Sequence, residues 1–231
     1  METPRETEDL ESYIRNSAPL LEDVTVRSFF NNKEQWVNKF IHPTARTKDW
    51  ELIVDEIEDK QIYTWPLFTN DFCDQIIQAA EEKDDWRKKR HDFYPTTDKL
   101  LEAFGMDKIY SEILEEFVYP AARELYELSG KSWENIGFEN FIAKYEAEGN
   151  CRQISLGIHH DTSLITSLVN LSQEGEDYEG GGTFFKKQKV LVRPPKGNVT
   201  IHPGAITHKH GARPTTKGKR YIIVSFSRFL D

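Results

Sequence analysis

Apolar residues in the first half of the chain recur at the three- and four-residue spacing of α-helices. Two short stripes come first, made up of Trp36, Val37 and Phe40 and then of Phe72, Ile76, Ile77 and Ala80. The polar residues 69–71 precede the second stripe, and each of them has a side chain that can cap a helix. A longer stripe extends from Ile109 to Leu128, where Pro120 is expected to kink or divide the helix. These stripes predict helices that pack one face against a sheet.

From Phe138 onward the pattern changes to short extended runs separated by turn residues. The runs read FENFIAKY, SLGIHH, LITSLVNL, GTFFK, KVLVR, NVTIHP and RYIIVSFSRF, with a further one around His208 and His210. About eight short strands at such regular spacing are typical of an antiparallel sandwich or jelly roll. We therefore expect a mainly β fold with flanking helices, and a jelly roll leaves one end open for a site.

The composition is that of one ordered domain. At 231 residues, with 38% hydrophobic and 12% aromatic residues, the chain is long enough to bury a substantial core. Residues 1–24 are polar, lack a clear period and are expected to form a loosely ordered terminus. Residues 25–231 are expected to form one domain, with a helical front at 25–135 and a jelly-roll core at 136–231.

The charge balance narrows the classes of partner. A net charge of −9 disfavours nucleic acid, whose phosphates favour a basic face, and mildly favours cationic partners such as a lysine-bearing peptide. No apolar run reaches the roughly 18 residues of a membrane span. Met1 begins no basic-then-apolar stretch of the kind that marks a signal peptide. Two cysteines make no disulfide framework and indicate no compartment.

The segment His159-His160-Asp161 is the first candidate for chemistry. Side chains alternate along an extended segment, so we expect His159 and Asp161 to point the same way and His160 to the other side. A second histidine from a distant strand would complete a two-histidine, one-carboxylate set, which leaves coordination positions open and suits non-haem Fe(II) oxygenases. A closed zinc site usually has a fourth protein ligand, commonly cysteine, and Cys73 and Cys151 have no paired spacing.

The stretch from His210 to Tyr221 strengthens the metal hypothesis, because a lone histidine–aspartate pair is more often an ordinary part of a fold. Pro-Thr-Thr and Lys-Gly within it favour a turn, which we expect to bring Arg220 back beside His210. A guanidinium binds a carboxylate through two parallel hydrogen bonds. An arginine beside an open metal therefore suits the far end of a diacid, and 2-oxoglutarate fits because its keto-acid end can chelate iron.

The motifs HHDTS, DYEGGGTFF, PPKGNVTIHPG, THKH and PTTKGKRYIIVSF follow one another along the chain. In this order and spacing the sequence resembles the catalytic domain of procollagen lysyl hydroxylases, which are Fe(II)/2-oxoglutarate dioxygenases. The similarity continues upstream through QWVNKFIHP and TWPLFTNDFCDQII, and so covers nearly the whole chain from near Phe29. Departures from the animal sequences favour a giant-virus member. The resemblance implies the family's double-stranded β-helix, a form of jelly roll.

Carried over residue by residue, the resemblance places iron on His159, Asp161 and His210. It places the distal carboxylate of 2-oxoglutarate on Arg220. His208 is expected to share a strand face with His210, so periodicity alone does not choose between the two. The family's spacing from the ligand to the following proline and arginine selects His210.

The remaining polar residues near the motifs have less specific roles. His208 and His202 are expected to pack near the site or to lie exposed at a strand end. Where animal members carry an asparagine, this chain reads Ser167-Leu168-Val169. The minor contacts to the cosubstrate therefore stay open, with Thr166 as a candidate.

The resemblance implies hydroxylation of lysine at C5 in collagen-like Gly-X-Lys peptides. The reaction would be coupled to oxidative decarboxylation of 2-oxoglutarate to succinate and carbon dioxide, with Fe(II), 2-oxoglutarate, dioxygen and L-ascorbate as cofactors and cosubstrates. Two alternatives stay open. The first is a prolyl hydroxylase, which shares the iron and cosubstrate machinery. The second is a catalytically silent jelly-roll interaction module, disfavoured because all four key residues are present.

An acidic run precedes the glycine triplet Gly180-Gly181-Gly182. Such a run is usually a solvated loop face, but Asp177 or Glu179 could meet the ammonium group of a substrate. The triplet favours a tight chain reversal over a phosphate-binding loop, because neither a helix start nor a lysine–serine pair follows it.

The resemblance also implies partners and a compartment. Family members act on collagen or collagen-like polypeptides and form homodimers, and Ile206 is the candidate exposed apolar residue for a dimer surface. The endoplasmic reticulum lumen is expected from the family, whereas the chain itself indicates no compartment.

Overall fold

The computed structural model describes residues 27–82, 85–88, 94–130, 135–148 and 153–230, so the predicted loose terminus at 1–24 lies outside the described residues. The first half of the chain is largely helical. Its helices are α1 (Arg27–Asn31), α2 (Lys33–Phe40), α3 (Pro43–Arg46), α4 (Trp50–Ile53), α5 (Asn70–Glu81), α6 (Asp107–Phe117) and α7 (Tyr119–Leu125). No described helix is both long and apolar enough to cross a membrane.

The helix signals in the sequence are confirmed where they can be checked. Thr69 caps α5, and its side chain accepts a hydrogen bond from the Phe72 backbone N–H. The long apolar stripe is divided between α6 and α7, and Pro120 lies in the first turn of α7. A proline is tolerated there because its missing N–H would have no partner within the helix.

Antiparallel strands dominate the second half. The strands are β1 (Asp55–Glu56), β2 (Tyr63–Pro66), β3 (Arg87–Lys88), β4 (Thr97–Leu100), β5 (Ile136–Glu146), β6 (Ile165–Asn170), β7 (Tyr178–Gly180), β8 (Thr183–Phe185), β9 (Val190–Val192), β10 (Asn198–Pro203), β11 (His210–Ala212) and β12 (Thr215–Phe229). The large sheet has the order β1-β2-β10-β6-β12-β5-β4-β3, with β7 paired to the start of β12. The small sheet has the order β11-β8-β9. Residues 25–135, which were expected to be helical, therefore also contain strands β1 to β4.

Successive residues of the central strands β5 and β12 face opposite sides of the large sheet. On one side Ile142, Tyr221 and Ile223 are buried in a core shared with helices α2, α5 and α6. On the other side Phe141, Ala143, Tyr145, Ile222 and Val224 form a second apolar cluster, which includes Ala212 of β11. The second cluster therefore lies between the two sheets, and it lines the candidate site described below.

Near the candidate site one expected strand is absent, and another is shorter than expected. The run SLGIHH forms no strand: an isolated antiparallel bridge joins His159 to His210, and the Leu156 N–H donates to the Ala212 carbonyl. Residues 206–208 form a 3-10 turn that carries the chain from β10 in the large sheet to β11 in the small one. Because β11 begins only at His210, His208 and His210 do not share a strand face.

The predicted turn between His210 and Arg220 also takes another form. The chain leaves β11 at Ala212 and enters β12 at Thr215, so Arg213 and Pro214 carry it from the small sheet to the large one. The Lys-Gly pair lies inside β12, where the register with β7 shifts. Arg220 therefore approaches His210 from the facing sheet and does not lie beside it in a hairpin.

Gly197 joins the turn before β10 to the helical layer, and we expect Gly197→Ala to destabilise the fold. Its φ is +84°, and an added Cβ would lie 2.3 Å from the Phe68 carbonyl oxygen. The loss should be about 2 kcal/mol or more in the free energy of unfolding, measured by chemical denaturation. Gly175→Ala is the control, because Gly175 has a φ of +85° but open space around its Cβ. Equal losses in both variants would contradict the steric explanation.

Candidate metal centre

Asp161 lies between the two candidate histidines. Its carboxylate oxygens are 3.3 Å from His159 Nε2 and 3.6 Å from His210 Nε2. One ligand atom from each of the three residues lies within 4.8 Å of the others. Among the described His, Cys, Asp and Glu residues, these three form the group that could hold one metal ion. The structure thus brings together the three side chains selected from the sequence.

Backbone pairing positions the two histidines. The His159 N–H donates to the His210 carbonyl and the His210 N–H donates to the His159 carbonyl, both at 2.8 Å. The two imidazole centroids are consequently 4.6 Å apart. Asp161 follows this single bridge in an irregular segment, so its position comes from local chain geometry and not from strand alternation. His160, which was expected to point away, also borders the cavity next to the triad.

Both histidines present Nε2 to Asp161. The His159 Nδ1 lies 2.8 Å from the Gly157 carbonyl oxygen, and the His210 Nδ1 lies 3.0 Å from the His208 carbonyl oxygen. Because a carbonyl oxygen only accepts, each Nδ1 donates its N–H, which leaves the Nε2 lone pair for a metal. Two imidazole nitrogens and one carboxylate fit Fe(II) with open coordination positions.

The environment makes the triad a cation site. Burial lowers the pKa of His210. Burial also disfavours the charged form of His159, but its hydrogen bonds with Asp161 and the Gly157 carbonyl and the negative charge of Asp161 together raise the pKa of His159. Burial likewise disfavours ionised Asp161, yet the contact with His159 and the proximity of His210 hold the pKa of this carboxyl well below its usual range. Asp161 is therefore an anion at neutral pH.

Thr166 holds Asp161 in place. The Thr166 hydroxyl donates a hydrogen bond of 2.6 Å to Asp161 Oδ2, and both residues are buried. The sequence had suggested Thr166 as a contact to the cosubstrate. Its hydroxyl donates to the triad carboxylate, and Thr166 is not among the described residues that line the cavity, so a contact with the cosubstrate stays a prediction.

We expect Thr166→Val to weaken metal binding, because the carboxylate loses the hydrogen bond that orients it. Removing an outer partner of a metal ligand typically costs 10- to 100-fold in affinity, and we expect a loss of about tenfold here. Anaerobic calorimetric titration with Fe(II) measures the change. Thr166→Ser keeps the hydroxyl and serves as the control, so a valine variant that binds as tightly as the serine variant would contradict the assignment.

Arg220 is a buried cation on the facing sheet. It is 3% exposed, and its Nη2 donates to the Thr183 hydroxyl at 3.3 Å. The Nε and Nη1 atoms have no hydrogen-bond partner among the described residues. The guanidinium also lies over the Tyr145 ring, 5.5 Å from its centroid. Buried N–H groups of a charged side chain normally have partners, so two free donors indicate a place for an anion such as a carboxylate.

The triad and Arg220 line one cavity of about 600 Å³ between the two sheets. Its wall between Arg220 and the triad is largely apolar and includes Leu168, Ile222 and Val224. Leu168 stands in the segment where the animal sequences suggested an asparagine. A carboxylate-binding cation and an open metal site within one cavity match the two ends of a 2-oxoacid with a second carboxylate.

Several residues of the cavity escaped the sequence interpretation. Tyr145 and Thr183 contact Arg220, Tyr94 packs its ring 5.0 Å from the His159 ring, and Glu139 lies in the cavity wall. Burial raises the pKa of Tyr145 to about 12, so its phenol is neutral. The sequence could have indicated two of these residues, because strand alternation places the odd-numbered residues of the run FENFIAKY, including Glu139 and Tyr145, on one face.

Other residues selected from the sequence lie away from the centre. The Asp177 carboxylate accepts from the Gln173 backbone N–H, and Glu179 forms an exposed ion pair with Lys217. Neither is among the described residues that line the cavity, and their contact with a substrate stays a prediction. His208 Nε2 lies 3.1 Å from the Lys60 carbonyl oxygen. His202 is fully buried behind His210, with ring centroids 4.6 Å apart, and burial lowers its pKa to about 3.

Gly181, the middle residue of the glycine triplet, packs against the Arg220 side chain. All three glycines have positive φ. The triplet does not make the predicted tight reversal, because it connects β7, which pairs with β12, to β8 of the small sheet. A Cβ on Gly181 would lie 3.2 Å from the Arg220 Cδ and 3.0 Å from the Tyr178 ring. The absence of a side chain at Gly181 lets the backbone pack against the aliphatic part of Arg220.

The family model of the 2OG-Fe(II) oxygenase superfamily matches residues 138–229, which contain the triad and Arg220. These residues of the chain therefore form a 2OG-Fe(II) oxygenase domain. Such oxygenases use Fe(II) as a cofactor and 2-oxoglutarate and dioxygen as cosubstrates, and the triad is the place where this chain could hold the iron.

Sequence relatives narrow the family further. The chain is 33% identical over 208 residues to the rat multifunctional procollagen lysine hydroxylase and glycosyltransferase, covering 85% of this chain and 27% of the relative. It is also 33% identical over 220 residues to the procollagen lysyl hydroxylase and glycosyltransferase of Acanthamoeba polyphaga mimivirus, covering 88% of this chain and 24% of the relative. The expected resemblance to procollagen lysyl hydroxylases is confirmed. The chain spans only about a quarter of the length of these relatives.

Solved structures support the fold. A viral collagen prolyl hydroxylase from Paramecium bursaria Chlorella virus-1, in complex with 2-oxoglutarate, aligns with a TM-score of 0.53 at 19% identity, covering 75% of this chain and 98% of the other. A Pseudomonas putida prolyl-4-hydroxylase aligns with a TM-score of 0.56 at 13% identity, covering 75% and 95%. The predicted fold class, a mainly β jelly roll with flanking helices, is confirmed.

Proposed function

We propose that this chain is a catalytic domain that binds Fe(II) through His159, Asp161 and His210 and 2-oxoglutarate through Arg220. The observation that carries the proposal is the pairing, in one cavity, of the triad with a buried guanidinium whose Nε and Nη1 have no described partner. When bound, the iron supplies the oxidation of an unactivated carbon by dioxygen, coupled to decarboxylation of the 2-oxoacid.

The side chains of this chain would prepare that reaction. Arg220 would bind the distal carboxylate of 2-oxoglutarate through two parallel hydrogen bonds, with Thr183 and the neutral Tyr145 beside it. Leu168, Ile222 and Val224 would exclude water from the middle of the cosubstrate, because they form an apolar wall. Thr166 would keep the Asp161 carboxylate oriented toward the metal.

The substrate we propose is lysine in collagen-like Gly-X-Lys peptides, hydroxylated at C5, with succinate and carbon dioxide as further products. The support is the homology with procollagen lysyl hydroxylases over most of the chain. L-Ascorbate would keep the iron reduced, as expected for the family. A prolyl hydroxylase is the second candidate, because the two structural neighbours described above bear that name.

One reaction tests the function and separates the candidates. The chain is incubated in air with Fe(II), 2-oxoglutarate, ascorbate and a collagen-like peptide that contains both lysine and proline. We expect the peptide to gain one oxygen atom on lysine, located by fragment mass spectrometry, together with release of succinate. Oxygen on proline would support the second candidate. A complete lack of succinate under these conditions would favour a catalytically silent interaction module.

Collagen or a collagen-like polypeptide is the proposed partner, and the endoplasmic reticulum lumen is the compartment where homologous enzymes would meet it. A homodimer is proposed as well. Ile206 is 65% exposed in the turn between β10 and β11, so it is available to a second copy.

Light scattering tests the dimer. We expect the wild-type chain to have twice the mass of a protomer, and Ile206→Asp to shift it to monomer, because a charge would replace an apolar contact. Leu52→Asp is the control, since Leu52 is 80% exposed and lies in α4. A monomeric wild type, or equal dissociation by both variants, would contradict the assignment of Ile206.

A further inference from the structure

A second, small cavity adjoins the large one beside Arg220, whose side chain lines both. Its volume is about 10 Å³, which is about the smallest space that holds one water molecule. The proposed iron and cosubstrate leave this space unassigned, because their site is the large cavity. Four described residues line the small cavity and not the large one: Asn170, Val192, Pro194 and Thr200.

Two hydrogen bonds fix the orientation of the Asn170 amide. Its Nδ2 donates to the carbonyl oxygens of Ser172 and Pro194, both at 2.8 Å. Because a carbonyl oxygen only accepts, the amide nitrogen must be on this side and Oδ1 on the other. Oδ1 is buried and has no hydrogen-bond partner among the described residues. Asn170 therefore offers the small cavity a buried acceptor.

Arg220 offers the matching donors. A guanidinium has five N–H groups, of which one donates to Thr183 and two would bind the distal carboxylate of 2-oxoglutarate. Asn170 of β6 pairs with Ile222 of β12, and Arg220 is two residues from Ile222 on the same face of that strand. Asn170 and Arg220 are thus diagonal neighbours with backbones roughly 7–8 Å apart, a separation that one water molecule between the side chains can bridge.

We propose that the small cavity binds one structural water molecule, which accepts a hydrogen bond from Arg220 and donates one to Asn170 Oδ1. Its second hydrogen is donated to the Thr200 hydroxyl, whose own hydrogen points to Thr64 Oγ1. Buried waters typically make about three such bonds. Through this water Asn170 is a positioning residue that holds the guanidinium toward the distal carboxylate of 2-oxoglutarate, a role that rests on the proposed function.

A crystal structure of the wild-type chain, at a resolution that shows ordered waters, tests the water site without any reaction. We expect one water molecule within hydrogen-bond distance of Arg220, Asn170 Oδ1 and Thr200 Oγ1, both with and without 2-oxoglutarate. A direct hydrogen bond between Arg220 and Asn170, or no ordered water between them, would overturn the proposal.

A substitution at Asn170 tests the positioning role. Asn170→Leu keeps the branched outline of the side chain, so a further water cannot take the place of Oδ1, but it removes the acceptor. The readout is the ratio of kcat/KM for 2-oxoglutarate to that for 2-oxobutyrate, which lacks the distal carboxylate, measured as carbon dioxide release with Fe(II). Asn140→Leu is the matched control. Asn140 is a buried amide of β5 whose partners are Asp107, Ser111 and Ser225, away from both cavities.

We expect the preference of Asn170→Leu for 2-oxoglutarate to fall by at least about fivefold, through a higher KM with kcat within about twofold of the wild type. The preference of Asn140→Leu should match that of the wild type. An unchanged preference in Asn170→Leu, or an equal fall in both variants, would overturn the positioning role. A wild type that does not prefer 2-oxoglutarate would instead contradict the proposed function, whereas the crystal structure still decides the water site.

Discussion

Replacing Asp161 by alanine is expected to lower succinate formation from 2-oxoglutarate by at least about 100-fold. The variant would lose the anionic ligand of the triad and leave His159 and His210 as the only protein ligands. Two neutral imidazoles bind a divalent cation far more weakly than the same pair with a carboxylate. Anaerobic titration with Fe(II) should show a matching loss of affinity, which separates failed metal binding from failed turnover.

Asp55→Ala is the matched control for Asp161→Ala. It removes one carboxylate from an exposed position in β1, at the edge of the large sheet. It should bind Fe(II) and form succinate at the wild-type rate. If Asp161→Ala bound Fe(II) like Asp55→Ala, the triad would not be the iron site.

Arg220→Ala is expected to raise the KM for 2-oxoglutarate by at least about 100-fold, because a buried bidentate contact to a carboxylate is lost. Binding of Fe(II) in the absence of 2-oxoglutarate should stay within about twofold of the wild type, because Arg220 is in the facing sheet and is not a ligand. The KM of Arg220→Lys for 2-oxoglutarate should lie between those of the wild type and Arg220→Ala, since an ammonium group keeps the charge but not the planar geometry of the guanidinium.

A truncated cosubstrate identifies the cause of the Arg220 effect. 2-Oxobutyrate has the keto-acid end but no distal carboxylate. The wild type should prefer 2-oxoglutarate strongly, and Arg220→Ala should treat the two 2-oxoacids nearly alike. A variant that kept the wild-type preference would show that the guanidinium does not read the distal carboxylate.

The sequence predicted the chemistry of the site better than its local geometry. Four residues could be selected because the metal or the cosubstrate requires their side-chain chemistry, and because their order matched a known family. They are His159, Asp161, His210 and Arg220. The reason given for their proximity was partly wrong. His159 and Asp161 are not on one strand: a backbone bridge to His210 positions His159, and Asp161 follows it in an irregular segment.

Residues whose roles depend on the facing sheet could not be derived from the sequence. Thr166 has the same residue type whether it meets a cosubstrate or a triad carboxylate, and its hydrogen bond to Asp161 depends on the fold. From its residue type alone, Glu139 would be interpreted as a solvent-exposed strand residue. Its position in the cavity wall follows from the register of β5 with β12, which one sequence does not give.

The fold was predicted best where a single residue restricts the backbone. Pro120 divided the long helical stripe, and Thr69 capped α5, because both effects act within one turn. The strands β1 to β4 were missed. They are two to four residues long. Strands β2 and β4 pair with the longer strands β10 and β5, which are distant in sequence, and β1 and β3 pair only with β2 and β4.

The central claim is that one ferrous ion is bound by three side chains while a nearby guanidinium secures the cosubstrate. A crystal structure grown anaerobically with Fe(II) and 2-oxoglutarate, with the iron located by its anomalous scattering, tests this most directly. We predict one iron peak within coordination distance of His159 Nε2, Asp161 and His210 Nε2, with the distal carboxylate of 2-oxoglutarate on Arg220. Iron bound elsewhere, or 2-oxoglutarate bound without contact to Arg220, would contradict the account.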